Sequence, residues 1–145
     1  MSFKIKRFNE LTNYELYAIL KERSGIFVVE QNCFYLDPDG IDLESYHLYK
    51  EENGEITAYL RIIPKGLKGD KISIGRVLVK KEYRGKGLGR ELMQEALRFI
   101  REELREDSVE LHAQNHLREF YGSLGFKIAG EVYIEAGIPH VMMDM

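Results

Sequence analysis

One cysteine, Cys33, is all the thiol chemistry this chain of 145 residues has, so no internal disulfide can form and the cytoplasm is the expected compartment. The start MSFKIKRFNELT lacks the apolar run of about 7 to 15 residues that a secretory signal requires. No stretch approaches the ~20 apolar residues needed to cross a bilayer, so no membrane partner is expected. An excess of either charge is missing too. The 21 basic and 24 acidic residues leave a net charge of −3, spread along the chain, which offers nucleic acid no basic field. Two metal-site patterns fail on counting. His112 and His116 have the HExxH spacing, but Ala113 stands where the Glu belongs and His112 falls on an expected strand. Asp37, Asp39 and Asp42 imitate a calcium loop, yet Gly40 comes two residues early and the closing Glu is absent. No metal is implied, and the acidic run reads as a solvated loop.

What is present is a regular order of elements in a chain of one-domain size, 1–145. Phe3 and Ile5 begin a short strand. Leu11, Tyr14, Tyr17 and Ala18 then take helical spacing behind Thr12 or Asn13 as cap, and Gly25 is expected to split that helix before Ile26 to Gln31. Asn53-Gly54 between Tyr46–Lys50 and Glu55–Pro64 marks a type I′ hairpin. Ile72 to Val79 forms a further strand, and Leu88, Leu92, Met93, Ala96, Leu97, Ile100 and Leu104 mark one helical face. Val109 to Ala113 reads as a strand and Asn115 to Leu124 as a short helix closed by Gly125. Residues 126–135 and 138–145 make a last strand pair around Gly137, whose final strand offers an exposed edge for a second subunit. The order βα(α)βββαβαββ gives an α/β fold.

Arg84-Gly85-Lys86-Gly87-Leu88-Gly89 joins a strand to a helix start. Glycines let backbone approach a ligand, and the free amides of a helix's first turn attract anions. A Walker loop would need GxxxxGK before Ser or Thr, and the dinucleotide fingerprint would need Gly at position 90, where Arg90 stands. What remains is RxxGxG.

That motif resembles the acyl-CoA pyrophosphate loop of the GNAT N-acetyltransferase superfamily, and the element order resembles the GNAT fold over nearly the whole chain. Phe120-Tyr121-Gly122-Ser123-Leu124-Gly125-Phe126 is similar to that family's closing motif. Phe27-Val28-Val29-Glu30-Gln31, with Asp39 and His47 after it, and the ending Ile138-Pro139-His140 are similar to its ElaA-like branch. The front half is also similar to acyl-homoserine lactone synthases, whose chains are longer. The resemblance implies a mixed, mostly antiparallel central sheet flanked by helices on both faces. It implies acetyl transfer from acetyl-CoA to an amine-bearing acceptor, without metal, by direct attack in a ternary complex. An acyl-CoA sensor without turnover is the alternative.

Under that resemblance the backbone of Val77, Leu78 and Val79 lines the pantetheine arm, exposed where two strands splay at a bulge that Gly75 permits. Arg84, Gly85, Lys86, Gly87, Leu88, Gly89 and Arg90 hold the pyrophosphate. Gln114 stands where many members carry an Asn, with Asn115 one position late; both are candidates for the cofactor arm. Tyr121 occupies the position of the acid that meets the departing sulfur. For the base, Glu30 sits in an apolar run where burial would raise its pKa, unless it pairs with Arg61 or Arg76. His47 has an intrinsic pKa suited to the task. His112 and His140 are further candidates on strands.

Overall fold

Residues 3–145 are described by a computed structural model. Thr12 caps the first helix, α1 (Asn13–Arg23). Its hydroxyl accepts from the Glu15 amide at 3.0 Å, while the Glu15 carboxylate accepts from the Thr12 amide at 2.8 Å. Gly25 does not split this helix. The backbone stays helical through Ser24–Glu30, widening into a π-helical segment, because a glycine without side-chain conflict tolerates helical angles even though it does not favour them.

The strands are β1 (Lys4–Arg7), β2 (Tyr46–Glu52), β3 (Glu55–Ile63), β4 (Ile72–Val79), β5 (Val109–Gln114), β6 (Lys127–Ile128), β7 (Tyr133–Glu135) and β8 (Ile138–Asp144). The remaining α-helices are α2 (Leu88–Glu102) and α3 (Arg118–Gly122), the latter preceded by a 3-10 turn at Asn115–Leu117. Asn53 at φ 52° and Gly54 at φ 80° make the β2–β3 turn with two positive dihedrals, the signature of type I′. The sheet order is β1-β2-β3-β4-β5-β8-β6, with β7 also on β8, and only the β4–β5 pair is parallel. The final strand is therefore no edge. It lies between β5 on one side and β6 and β7 on the other, so the edge expected for a second subunit is already paired.

Alternation along β2 and β3 assigns the two faces of the sheet. Leu48, Ala58, Leu60 and Ile62 pack with Leu92, Met93, Ala96 and Ile100 of α2. Tyr49, Ile56 and Tyr59 pack on the opposite face with Ile19 of α1 and Ile26. Helices thus cover both faces, and the β4–β5 junction lies between them.

Candidate active site

β4 and β5 pair only from Ile72↔Val109 to Ile74↔Leu111; β4 runs on to Val79 and β5 to Gln114 without pairing further with each other. The parting has a local cause. Arg61 faces Gly75 and Tyr59 faces Leu78 across β3 and β4, so two β4 residues oppose Leu60, a bulge that bends its strand. The left-handed residue there is Arg76 (φ 51°), not Gly75, whose conformation needs no glycine. A side chain at φ > 0 is strained by roughly 1–2 kcal/mol, and the surroundings hold it. Arg76 donates from Nε to Asp37 Oδ1 at 2.9 Å and from Nη2 to the Asp37 carbonyl at 3.0 Å, with its guanidinium 5.4 Å from the Tyr35 ring centre.

Asp37 is in turn gripped by Arg23 Nε at 2.8 Å. Arg23 also bonds Asp42 at 2.7 Å, and Arg61 reaches Asp42 at 2.9 Å and Asp39 at 2.7 Å. Both arginine side chains are 1% exposed. Three arginines and three aspartates thus neutralise one another, with Arg23, Arg61, Asp37 and Asp42 buried and Arg76 and Asp39 at the rim, so the expected solvated acidic loop is a charge-paired element. Its carboxylates are not available to draw a cation. Burial pushes Asp42 up, but Arg23 and Arg61 outweigh it and hold the carboxyl below the usual range.

Beyond Val79 the chain turns through Gly85 (φ 78°) and Gly87 (φ 81°) into α2. The first amide of α2 with a helical partner is that of Glu91, bonded to the Gly87 carbonyl, so the amides of Leu88, Gly89 and Arg90 remain free of intrahelical partners. Arg84 donates from Nε to the Val79 carbonyl at 2.9 Å and grips Glu30 with both terminal nitrogens, at 2.9 and 3.2 Å. Lys86 lies against the Tyr83 ring and Arg90 against Phe120, with a bond to Ser123 Oγ at 2.7 Å.

On the far wall, Gln114 ends β5 and Asn115 follows it. The Asn115 Oδ1 is buried without a hydrogen-bond partner, a state costing about 1–3 kcal/mol, which a ligand amide would relieve. Gln114 has no such orphan. Tyr121 on α3 is 5% exposed, its ring edge-on to Phe120 and Phe126. Burial alone pushes its phenol up to about 12, and among the described residues no protein group bonds its hydroxyl.

The two candidate bases fare differently from expectation. Glu30 is not buried: its side chain is 42% exposed and paired with Arg84, not with Arg61 or Arg76, because the π-helical segment turns it outward. His47 is buried, but both ring nitrogens are committed. Nε2–H donates to the Asp42 carbonyl at 2.9 Å, so Nδ1 accepts from the Tyr59 hydroxyl at 2.7 Å. Burial pushes this imidazole below its ordinary value and keeps it neutral. His112, Tyr133 and His140 instead gather on the α1 face where β5 has parted from β4. Arg76 and Asp37 stand out in the sequence only for other roles and Tyr133 for none; it is the tertiary contacts that bring out their places here.

Residues 38–145 match the family model described as Acetyltransferase (GNAT) domain. The chain is 42% identical over 137 residues to the protein ElaA of Escherichia coli, covering 93% of this chain and 90% of that protein. The crystal structure of Escherichia coli ElaA superposes with a TM-score of 0.92 at 40% identity over 99% of both chains. An acyl-CoA N-acyltransferase from Pseudomonas aeruginosa superposes with a TM-score of 0.93 at 39% identity, again over 99% of both. An aminoglycoside 6′-N-acetyltransferase complexed with coenzyme A shares the fold alone, with a TM-score of 0.71 at 17% identity over 98% of this chain and 96% of that one.

Proposed function

The chain belongs to the GNAT acetyltransferase domain family, within its ElaA-like branch, and from that premise we propose that it moves an acetyl group from acetyl-CoA to a primary amine by direct attack in a ternary complex. The observation that carries this reading is the cleft between β4 and β5, with the glycine loop at its end. Val77, Leu78 and Val79 offer a strand edge to the amides of the pantetheine arm. The amides of 88–90 and the positive dihedrals at Gly85 and Gly87 suit a pyrophosphate, with Lys86 and Arg90 nearby as counter-charge. Asn115, rather than Gln114, has the unsatisfied acceptor suited to an amide N–H of the arm.

Backbone and side chains then divide the work. The bulge at Arg76 turns a backbone amide out of the β3 ladder, where it can polarise the thioester carbonyl. Asp37 and Arg23 keep that geometry fixed. Tyr121, neutral at pH 7, donates a hydrogen bond to the sulfur as the C–S bond breaks. Glu30 tethers Arg84 rather than taking a proton. The test is thermal shift with acetyl-CoA followed by thiol release across a panel of primary amines. Stabilisation with release supports transfer; stabilisation without release for any amine favours the acyl-CoA sensor; neither effect overturns both.

A further inference from the structure

We infer that His140 is the base that takes a proton from the incoming amine, an inference that rests on the acyl-transfer reading above. His140 pairs with Gln114 across β8 and β5, beyond Leu111 where β4 lets go of β5. Directly opposite residues of an antiparallel pair share a face, so the imidazole stands at the open end of the cleft. Its Nδ1 lies 2.7 Å from the Ile138 carbonyl. A carbonyl only accepts, so Nδ1 carries the proton and Nε2 keeps its lone pair. No protein group bonds Nε2 among the described residues, although the residue is only 8% exposed.

This is the arrangement that His47 lacks, since both of its nitrogens are taken. It is also clearer than that of His112, whose Nδ1 lies 2.5 Å from the Tyr133 hydroxyl on a more exposed ring. The Tyr133 ring lies 5.9 Å from that of His140 and backs it. The titratable groups on this face are Glu110 and His112 from β5, Tyr133 and Glu135 from β7 and Asp144 from β8, with Lys68 also acting on His112. Cys33 closes over the β7–β8 turn through its bond to the Ala136 carbonyl at 3.0 Å.

In the step, an ammonium proton passes to His140 Nε2 and on to water. The freed nitrogen lone pair forms the C–N bond, the carbonyl π pair moves onto oxygen, and its return expels the thiolate. The second nitrogen proton leaves as the amide forms and the sulfur takes up one proton, so an ammonium and a thioester become an amide, a thiol and one released proton.

The first measurement needs no acceptor. Long-range 1H–15N spectra of the labelled full chain with acetyl-CoA are expected to show His140 as the Nδ1–H tautomer when neutral; the Nε2–H tautomer overturns the inference. The second follows thiol release with 2-phenylethylamine, agmatine and spermidine, amines that are mostly protonated at pH 7. His140→Gln is expected to lower kcat/KM about 10²-fold near pH 7, with the gap closing to within about 3-fold near pH 10, where the amine arrives uncharged. A deficit that stays constant with pH assigns His140 to positioning and overturns the base; so does an unchanged rate. If His140→Gln fails to fold, His140→Asn takes its place and the tautomer of the native chain still decides. Thiol release by none of these amines with the native protein counts against the transfer reading itself, a failure distinct from that of His140.

Discussion

Tyr121 owes its proposed role to what its hydroxyl does not touch. A buried phenol ordinarily finds a carbonyl, yet this one has no protein partner among the described residues, and burial alone raises it to about 12. Handing its proton fully to a thiolate whose pKa is about 8.5 is uphill by roughly 5 kcal/mol, so the phenol acts as a hydrogen-bond donor to the departing sulfur. Tyr121→Phe is expected to lower turnover about 10²-fold while acetyl-CoA affinity stays within a few-fold. Steady-state thiol release beside calorimetric binding checks both, and near-native turnover would return Tyr121 to the core. Glu30 leads to the opposite expectation. Its pair with Arg84 is half-exposed, and such pairs contribute about 0–1 kcal/mol. Glu30→Gln is therefore expected to change acetyl-CoA affinity by no more than about 5-fold and to leave the pH profile alone. A lost acidic limb in that variant would restore Glu30 as the base. These two residues were legible as candidates from local motifs. What a motif does not carry is where a carboxylate points, and a π-helical turn was enough to take Glu30 from an apolar run to the surface.

Among elements, the loop before α2 is held open by backbone conformation. Gly87 is the N-cap residue of α2 at φ 81° and has no capping side chain to compete for the first-turn amides. Gly87→Glu is expected to abolish acetyl-CoA binding in a folded protein, because a carboxylate would stand among the amides meant for the pyrophosphate. Unchanged affinity by thermal shift would sink the loop assignment. The bulge in β4 depends on a longer chain of contacts, from Arg23 through Asp37 to Arg76. Asp37→Asn leaves a buried guanidinium short of its counter-charge, and the expected cost is about 3 kcal/mol in urea denaturation, the scale of breaking a buried pair. Periodicity and turn chemistry made the hairpin at Asn53-Gly54, the strand Ile72–Val79 and the face of α2 readable in advance, since each depends on near neighbours. The resemblance led to a bulge being expected here, but at Gly75; that Arg76 takes the left-handed turn was not readable, because its stability comes from Asp37, distant along the chain. The same holds for β8, whose place inside the sheet follows from long-range pairing with β5 and not from its own sequence.

For the whole molecule, the buried charges and imidazoles predict how stability follows pH. His47 and His112 are both pushed below the ordinary histidine value by burial. Below about pH 6.5 the unfolded chain therefore binds protons that the folded chain refuses, so stability falls on acidification through that window, by at most about 1.4 kcal/mol per pH unit for the buried His47 and by much less for His112, whose exposure lets solvent screen it. The carboxylates act lower. Burial pushes Glu15 up, but the Thr12 amide, Tyr49 and Lys6 outweigh it and hold it at about 2. Asp39 and Asp42 are likewise held low by their arginines against burial. Their contribution is fully present above about pH 4 and is lost as pH falls through their folded values. The urea midpoint is thus expected to decline from pH 8 to pH 5 through the histidines and to fall more steeply below about pH 4 through the carboxylates. His47→Gln keeps a donor and an acceptor for the Asp42 carbonyl and the Tyr59 hydroxyl without titrating. That variant is expected to be less stable than the native protein at pH 8 yet flatter between pH 7 and pH 5. A native midpoint that stays constant from pH 8 to pH 5 would show that the imidazoles are not held neutral by the fold.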